Sequence, residues 1–288
     1  MNARRAGRYT VLGLAFFLAF AAQAQSRVRP EPQYAFVGNA DPAEGRRLLA
    51  EFRQLGLAGD YALDFVLRVM PRRGEERLVA GRMYGTRNEQ GPVSLVEFPA
   101  GTAGARRILV QSGRQSAVWT VPQDGADAVA VGAAQLFTPL AGTELTAFDL
   151  QMPFLFWNDC VFEGVVSVRG RPAHRFLAYP PAEIAAARPE LTGVRFYLDT
   201  QFSALVQAEE IGPDKEPTKT ISVLDLKRTQ DQWIPRTIDL RNETTRDKTR
   251  FRITGAALNL TLPPIVFSPA HLPVSPELGG GLKFEEFQ

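Results

Sequence analysis

The sequence predicts a mainly β protein in which one curved antiparallel sheet forms an incomplete barrel, covered by a helix and a lid segment. Many short stretches of the chain alternate apolar with polar residues, which is the pattern of half-buried strands. Short loops rich in Gly, Pro, Asn and Asp separate these stretches, as in hairpins. No stretch alternates a strand with a long helix, which argues against a parallel α/β sheet.

The chain begins with the features of a secretory signal peptide. Arginines within the first eight residues precede an apolar run at residues 11–22, and Ala22-Gln23-Ala24 closes this run with the pattern of a cleavage site. We therefore expect cleavage after Ala24 and a periplasmic mature protein. As a helix the run would be about 18 Å long, shorter than the roughly 30 Å hydrocarbon core of a membrane. Residues 25–40 are rich in Pro and polar side chains and are expected to form a flexible lead-in.

The clearest helix follows this lead-in. Asp41-Pro42-Ala43-Glu44 combines an N-cap residue, a proline suited to the first helical position and an acid in the first turn. Apolar residues then recur at helical spacing, at Leu48, Leu49, Phe52 and Leu55. Gly56 follows them and is expected to end the helix. Because these residues share one face, that face must pack against another element. We expect the helix at residues 43–55 to cover the open side of the sheet.

Strands are predicted from here to near the end of the chain. Tyr61, Leu63, Phe65, Leu67 and Val69 alternate with less apolar neighbours, so one face of this strand is buried. Further strands are predicted at residues 76–84, 93–98, 107–111, 117–121, 161–168, 174–179, 194–199, 205–211, 220–227, 233–241, 248–254 and 258–262. So many antiparallel strands exceed what one open twisted sheet holds, and we expect the sheet to curl into part of a barrel.

The connection at residues 143–157 is more apolar than a loop normally is. It contains Leu145, Phe148, Met152, Phe154 and Trp157. Pro153 argues against one continuous helix, so we expect a short helix or loop that lies over the mouth of the sheet as a lid. No change in composition divides the chain further. We expect a single domain at residues 41–275 and a flexible tail at residues 276–288.

Composition argues against several kinds of site. Cys160 is the single cysteine, and His174 and His271 are the two histidines, so disulfides, cysteine-based zinc sites and histidine-rich metal sites are not expected. No nucleophile elbow, metalloprotease motif or phosphate loop is present. We therefore predict no catalytic residue, no metal and no cofactor. A glycosidase-like pair of carboxylates among Asp149, Asp159 and Glu163 is the least favoured alternative.

The charge balance gives no reason to expect nucleic-acid binding. The chain has 33 Lys and Arg against 31 Asp and Glu. Removing Arg4, Arg5 and Arg8, which precede the expected cleavage site, from the 33 leaves 30 against 31. A nearly neutral mature chain lacks the electrostatic attraction to phosphate backbones that such binding requires.

Several short motifs occur in a characteristic order between Gln115 and Leu272. They are Trp119-Thr-Val-Pro122, Ala141-Gly-Thr-Glu-Leu-Thr-Ala-Phe-Asp-Leu150, Val194-Arg-Phe-Tyr-Leu-Asp199, Asp231-Gln-Trp-Ile-Pro-Arg236 and Phe267-Ser-Pro-Ala-His-Leu272. In order and spacing they resemble the outer membrane lipoprotein-sorting protein family, whose members share the LolA/LolB-type fold. The resemblance implies an incomplete antiparallel barrel of about eleven strands with a helical lid, enclosing a cavity that receives acyl chains.

These observations lead to the hypothesis of a non-enzymatic periplasmic carrier. Its partners would be the acyl chains of a lipid or lipoprotein, with an inner-membrane transporter as a candidate protein partner and no nucleic acid. The residues expected to line the binding site, through apolar contact alone, are Leu48, Leu49, Phe52, Phe65, Leu67, Trp119, Phe148, Met152, Phe154 and Trp157. The alternative is an envelope interaction module that has a solidly packed interior and docks a protein partner through residues 148–157.

Overall fold

One antiparallel sheet of 14 strands dominates the part of the chain that the structure describes. The computed structural model describes residues 29–33, 40–104, 106–122, 127–276 and 281–287. The predicted signal peptide, its cleavage site and most of the predicted lead-in lie outside these residues. Within the described residues, no helix combines the length and the hydropathy needed to cross a membrane.

The strands have the following bounds along the chain. They are β1 (Asp60–Met70), β2 (Arg77–Asn88), β3 (Gly91–Glu97), β4 (Arg107–Gln111), β5 (Ala117–Val121), β6 (Val129–Ala130), β7 (Cys160–Val168), β8 (Arg171–Ala178), β9 (Gly193–Asp199), β10 (Leu205–Ile211), β11 (Pro217–Thr229), β12 (Gln232–Asn242), β13 (Lys248–Leu260) and β14 (Glu285–Glu286). Three α-helices are described: α1 (Pro42–Gln54), α2 (Ala147–Gln151) and α3 (Ala182–Ala187).

The strand order explains how a long sheet becomes an incomplete barrel. It runs β6-β5-β4-β3-β2-β1-β13-β12-β11-β10-β9-β8-β7, with β14 added to β13. Two runs of consecutive hairpins are therefore joined where β1 pairs with β13, for example at Phe65 and Ile253. Strands β6 and β7 remain at the two edges, so the sheet does not close. The predicted fold class is confirmed, although the sheet has more strands than the roughly eleven expected.

Some predicted elements have different bounds in the structure. Residues 248–254 and 258–262 were expected to be two strands, but they belong to one strand, β13, which ends at Leu260. The intervening Gly255, Ala256 and Ala257 are small, and shifts of register against β1 absorb the irregularity there. Helix α3 was not predicted. Near the chain end, β14 pairs with β13 and Phe287 is buried, although a flexible tail was expected.

Helix α1 begins where its sequence predicts. The side chain of Asp41 accepts a hydrogen bond of 2.8 Å from the Ala43 N–H, which satisfies one of the free amides of the first turn. The helix packs on β7 and on the 3₁₀ helix Pro153–Phe156. At Gly45 the contact is so close that an added Cβ would lie 2.3 Å from the Cβ of Phe162. This glycine therefore sets how closely α1 lies against the sheet.

The lid segment, residues 143–157, contains a short helix and then a break. Thr146 and Asp149 form a capping box at the start of α2, and Met152 ends it in the left-handed conformation with φ 47°. Pro153 then occupies the first position of the 3₁₀ helix Pro153–Phe156, where its missing N–H costs nothing. The expectation of a short helix interrupted at Pro153 is thus confirmed.

The two faces of the sheet have different partners. The inner face, which α1 and the lid segment cover, carries the main apolar core. On the outer face a smaller apolar cluster includes Tyr84, Leu95 and Leu109 and lies over the β1 to β5 region. Elsewhere the outer face carries cross-strand ion pairs such as Asp64 with Arg82 and Asp239 with Arg250, both at 2.6 Å. The large apolar surface of the sheet is therefore on its inner, covered face.

Candidate functional site

An apolar cavity of about 240 Å³ lies between the inner face and the lid segment. Its wall is formed by the lid segment, by the loop between α1 and β1, and by strands β1, β2, β3, β11, β12 and β13. The lining residues are Leu57, Tyr61, Leu63, Met83, Ser94, Leu145, Asp149, Leu150, Met152, Ile221, Ile234, Pro235, Ile238, Leu240, Phe251 and Ile253. Nearly all are apolar, so the cavity is suited to a hydrocarbon group.

Aromatic side chains explain why the cavity occupies only part of the interior. Toward β7, β8 and β9, the ring of Phe196 stacks on Phe176 at 5.1 Å and lies 5.7 Å from the ring of Phe154 in the lid segment. Toward β2 and β3, the ring of Phe65 stacks on Phe251 at 4.5 Å. Large rings thus fill the space near these strands. Smaller aliphatic residues on β11, β12 and β13 leave space under α2.

Met152 is the one residue of the expected lining that borders the cavity in the part of the chain described. Phe65, Leu67, Phe148 and Phe154 are at most 1% exposed and belong to the packed core beside it. On α1, Leu48, Leu49 and Phe52 pack against the same core, and Trp157 is also buried in it.

Trp119 lies away from these residues. It pairs with Leu109 across β4 and β5 and packs against the apolar cluster of the outer face. The alternation of β5 directs Val118 rather than Trp119 toward the inner face, so the structure does not bring Trp119 together with the other residues of the expected lining. Residues of β11, β12 and β13 form much of the cavity wall, and they were not among the predicted lining residues. The alternation of apolar and polar residues in these strands predicts that one face is buried. It does not predict that the lid segment lies opposite that face.

An ion pair joins the lid segment to the wall of the sheet. Lys219 Nζ on β11 lies 2.5 Å from Oδ2 of Asp149 on α2. The same Oδ2 accepts hydrogen bonds from the backbone N–H and the hydroxyl of Thr146, at 2.7 and 2.8 Å. Asp149 is 2% exposed, and its Oδ1 has no hydrogen-bond partner among the described residues. One carboxylate oxygen at the cavity wall is therefore held in place while the other is unsatisfied.

A second acid belongs to this buried group. Glu210 on β10 is directly opposite Lys219 on β11 and is 4% exposed. Arg188, just after α3, places Nη2 at 3.2 Å from Glu210 Oε2. Burial raises the pKa of Glu210, and the charge of Asp149 adds to this effect against the opposing charges of Lys219 and Arg188. The inner face thus carries a small ionic cluster beside an otherwise apolar cavity.

Tyr61 supplies another polar group of the cavity. Burial raises the pKa of its hydroxyl, and a hydrogen bond with Ser94 opposes this rise. Both residues line the cavity, Tyr61 from β1 and Ser94 from β3. A neutral hydroxyl is compatible with a hydrocarbon ligand, since it is already hydrogen-bonded.

Polar contacts hold the lid segment at both of its ends. Near the start, the Glu144 N–H donates to Thr249 Oγ1 on β13 at 2.9 Å. In the middle, Ser112 Oγ donates to the Gln151 carbonyl at 2.9 Å. Toward the end, Arg53 Nε on α1 donates to the Leu155 carbonyl at 2.6 Å. The cavity is therefore covered by a segment held through a few polar contacts in addition to its apolar packing.

The acids considered for a glycosidase-like site have separate, basic partners. Asp149 pairs with Lys219, and Asp159 pairs with Arg29. Glu163 is buried between Arg175 and Arg195, each with Nε at 2.9 Å from Oε2. Across the described residues no group of three or more His, Cys, Asp or Glu is arranged to hold a metal ion. Each of the three acids is thus paired with basic side chains rather than with another of the three.

Comparison with known proteins supports the fold. No family model matches the sequence, and no curated protein matches it. Among solved structures, a DUF1329 family protein from Desulfovibrio piger matches with a TM-score of 0.67 and 15% identity, over 79% of this chain and 98% of that one. A domain from Vibrio parahaemolyticus, described as an outer membrane lipoprotein-sorting protein, matches with a TM-score of 0.69 and 16% identity, over 81% of this chain and all of that one.

A LolA superfamily protein from Nitrosomonas europaea matches with a TM-score of 0.58 and 14% identity, over 77% of this chain and 96% of that one. At these identities the likeness concerns the fold. The short motifs between Gln115 and Leu272 had indicated the same fold from sequence. The chain therefore has a LolA-like fold, with an open antiparallel sheet around a covered apolar interior.

Proposed function

We propose that this protein is a non-enzymatic carrier that holds an acyl chain of a lipid or lipoprotein between the sheet and the lid segment. The observation that carries the proposal is the cavity of about 240 Å³, apolar over nearly all of its wall and covered by the lid segment. The LolA-like fold supports the proposal. Of the solved structures with this fold, the one from Vibrio parahaemolyticus is described as an outer membrane lipoprotein-sorting protein domain, and the one from Nitrosomonas europaea as a LolA superfamily protein.

The energetics favour such a ligand. Transfer of a methylene into an apolar site contributes about 0.8 kcal/mol, so an acyl chain with about ten buried methylenes gains roughly 8 kcal/mol before the cost of ordering it. This gain is large enough to keep a lipid in the protein, so release requires the chain to be exposed again. Movement of the lid segment would provide that exposure.

The cavity is small for a long acyl chain. Pockets for small molecules usually measure about 300–1,000 Å³, whereas this cavity measures about 240 Å³. A long acyl chain therefore needs the lid segment to move outward from its place over β11, β12 and β13. The ion pair between Asp149 and Lys219 would have to break or rearrange in that movement.

The interaction-module alternative is less favoured. It required the apolar residues at 148–157 to face a partner, but Phe148 and Phe154 are 1% exposed. A segment whose largest side chains face inward offers little apolar surface for docking. We place the carrier in the bacterial periplasm, on the basis of the signal-peptide pattern, with an inner-membrane transporter as the proposed partner that loads or receives the lipid.

Lipid bound to the purified protein tests the proposal directly. The protein is isolated from its host envelope, and native mass spectrometry compares its mass before and after organic extraction. We expect roughly one lipid per chain. A delipidated sample should then bind a dansyl-labelled undecanoic acid with increased fluorescence. Absence of bound lipid together with no uptake of the labelled acid would refute the carrier function.

A cavity-filling variant locates the binding site. Leu150→Trp adds a large ring at the cavity wall. We expect the variant to keep its fold and to bind the labelled acid about tenfold more weakly. Leu224→Trp is the matched control, because Leu224 is 41% exposed on β11 and does not line this cavity. Equal binding by both variants would place the ligand elsewhere.

A further inference from the structure

A second, polar cavity of about 640 Å³ lies beside the end of α1. Its wall is formed by the last turn of α1, the turn between β2 and β3, the residues before β5 and Phe156 of the lid segment. Arg53, Arg87 and Arg114 all line it, and among its described lining residues Glu89 is the one acid. We call it the arginine cavity. Three guanidinium groups against one carboxylate make it locally positive on a nearly neutral chain.

Two of these arginines are fixed by the surrounding backbone. Arg53 Nε donates to the Leu155 carbonyl at 2.6 Å, and its guanidinium lies 5.4 Å from the centre of the Phe156 ring. Arg87 Nη1 donates to the Leu55 carbonyl at 3.1 Å, and its Nη2 donates to the Arg53 carbonyl. Guanidinium groups held in this way lose little conformational entropy when an anion binds.

The donors of these arginines are only partly used. Both Nη groups of Arg53 are without a hydrogen bond to the described residues. Arg114 is exposed and has no hydrogen bond or ion pair in the described part of the chain. Burial lowers the pKa of Arg53, and the nearby charge of Arg114 acts in the same direction. The guanidinium groups of Arg53 and Arg114 are therefore close enough to repel each other.

We propose that the arginine cavity binds a phosphate-type anion through Arg53, Arg87 and Arg114. Guanidinium groups recognise phosphate through paired, charge-assisted hydrogen bonds, and several unpaired donors meet in this cavity. The side-chain amides of Gln54 and Gln115 also line it and supply neutral donors beside the charged ones. The phosphate can be a free ion or part of a lipid headgroup.

The position of the arginine cavity makes a lipid headgroup a suitable source. Gly91 lines the arginine cavity and Ser94 lines the apolar cavity, and both lie on β3. Three residues of extended strand span about 10 Å. A phospholipid whose acyl chain lies under the lid segment and whose headgroup extends toward the turn between β2 and β3 would have its phosphate near the arginines. This second step rests on the proposed carrier function, whereas binding of a phosphate ion does not.

Titration with inorganic phosphate tests the anion site by itself. Binding is followed by calorimetry and by shifts of the arginine side-chain signals in NMR spectra. We expect Arg114→Gln to weaken phosphate binding about tenfold, since it removes charge-assisted hydrogen bonds, and Arg53→Gln/Arg114→Gln to abolish it. Arg73→Gln is the matched control: it removes the same charge from an exposed residue between β1 and β2. Equal weakening by Arg73→Gln, or none by Arg114→Gln, would overturn the site.

A matched pair of amphiphiles tests the source of the phosphate. Lauroylglycerol and lauroylglycerol phosphate have the same acyl chain and differ by the phosphate. We expect the wild type to bind the phosphorylated form about tenfold more tightly than the form without phosphate. We expect Arg114→Gln to bind the two amphiphiles with equal affinity. Equal binding of the two amphiphiles to the wild type would refute the lipid headgroup. Failure of both amphiphiles to bind, with phosphate still bound, would refute the carrier and leave the anion site supported.

Discussion

The Nζ atom of Lys219 lies 2.5 Å from Oδ2 of Asp149, so the lid segment is joined to the sheet by an ion pair in a region closed to solvent. Asp149 is on α2 and Lys219 is on β11, and both side chains are at most 9% exposed. Two charges removed from water are stable together, but either one alone is costly. The pair therefore couples closure of the lid segment to the stability of the whole protein.

Removal of one partner of this pair should be strongly destabilising. We expect Asp149→Asn to lower the free energy of unfolding by about 3 kcal/mol, because the buried charge of Lys219 loses the carboxylate in direct contact with it and keeps only Glu210 on the neighbouring strand. Urea denaturation measures the change. In Asp149→Asn/Lys219→Met both members of the pair are neutral, so we expect the double variant to lose less than the sum of its single variants.

An exposed ion pair provides the control for this prediction. Asp231 pairs with Arg228 at 2.9 Å, but the Asp231 side chain is 91% exposed. We expect Asp231→Asn to change the free energy of unfolding by less than about 1 kcal/mol. Similar effects for Asp149→Asn and Asp231→Asn would show that the lid-to-sheet pair contributes no more than a surface contact.

Glu210 should make stability depend on pH above about 4.3, the pKa of a glutamate in the unfolded chain. Burial raises its pKa in the folded protein, whereas in the unfolded chain the pKa of a glutamate is about 4.3. Between these two pKa values the folded state keeps a proton that the unfolded chain has released. The free energy of unfolding contributed by this group therefore falls as the pH rises through that window.

Glu210→Gln removes this titration and isolates its effect. We expect the variant to gain stability relative to the wild type as the pH is raised from about 4.3 toward neutrality. Urea denaturation at a series of pH values measures the difference between the two proteins. A difference that stays constant with pH would mean that the pKa of Glu210 is the same in the folded and unfolded states.

Gly45→Ala should destabilise the protein although alanine favours helices. In an exposed helix this change stabilises by about 1 kcal/mol. At Gly45 the added Cβ would lie 2.3 Å from the Cβ of Phe162, so α1 would have to move away from β7. We expect a net loss of about 1–3 kcal/mol in the free energy of unfolding, measured by thermal or urea denaturation.

The control for Gly45→Ala is a change in propensity alone. Ala50 is exposed on the same helix, and Ala50→Gly should cost about 1 kcal/mol through propensity. If Gly45→Ala were instead stabilising by a similar amount, the close contact between α1 and β7 would be absent in solution.

Local signals explain which parts of the fold could be predicted from sequence. The cap at Asp41, the break at Pro153 and the hairpin turns each depend on a few adjacent residues. The pairing of β1 with β13 depends on residues as distant as Phe65 and Ile253, and no local pattern specifies it. This pairing brings β12 and β13 under the lid segment, so the wall that they form could not be predicted.

The sequence also could not distinguish residues that line the cavity from residues that belong to the packed core. Met152 and Phe154 are two positions apart in one apolar segment, and both were expected to line the site. Met152 borders the cavity and is partly exposed, whereas Phe154 is 1% exposed among other aromatic rings. The left-handed conformation of Met152 separates the two side chains, and nothing in an apolar run predicts it.

This difference predicts separate outcomes for two truncations. Phe154→Ala should lower the free energy of unfolding by about 3–5 kcal/mol, because it leaves a void between Phe148, Trp157 and Phe196. Met152→Ala should cost less, because its side chain already borders an open space, and should change the affinity for the labelled acid instead. Urea denaturation and the fluorescence titration, run on both variants, separate the two effects. Should Met152→Ala prove as destabilising as Phe154→Ala and leave affinity unchanged, the space beside Met152 would be filled in solution and the carrier proposal would lose its site.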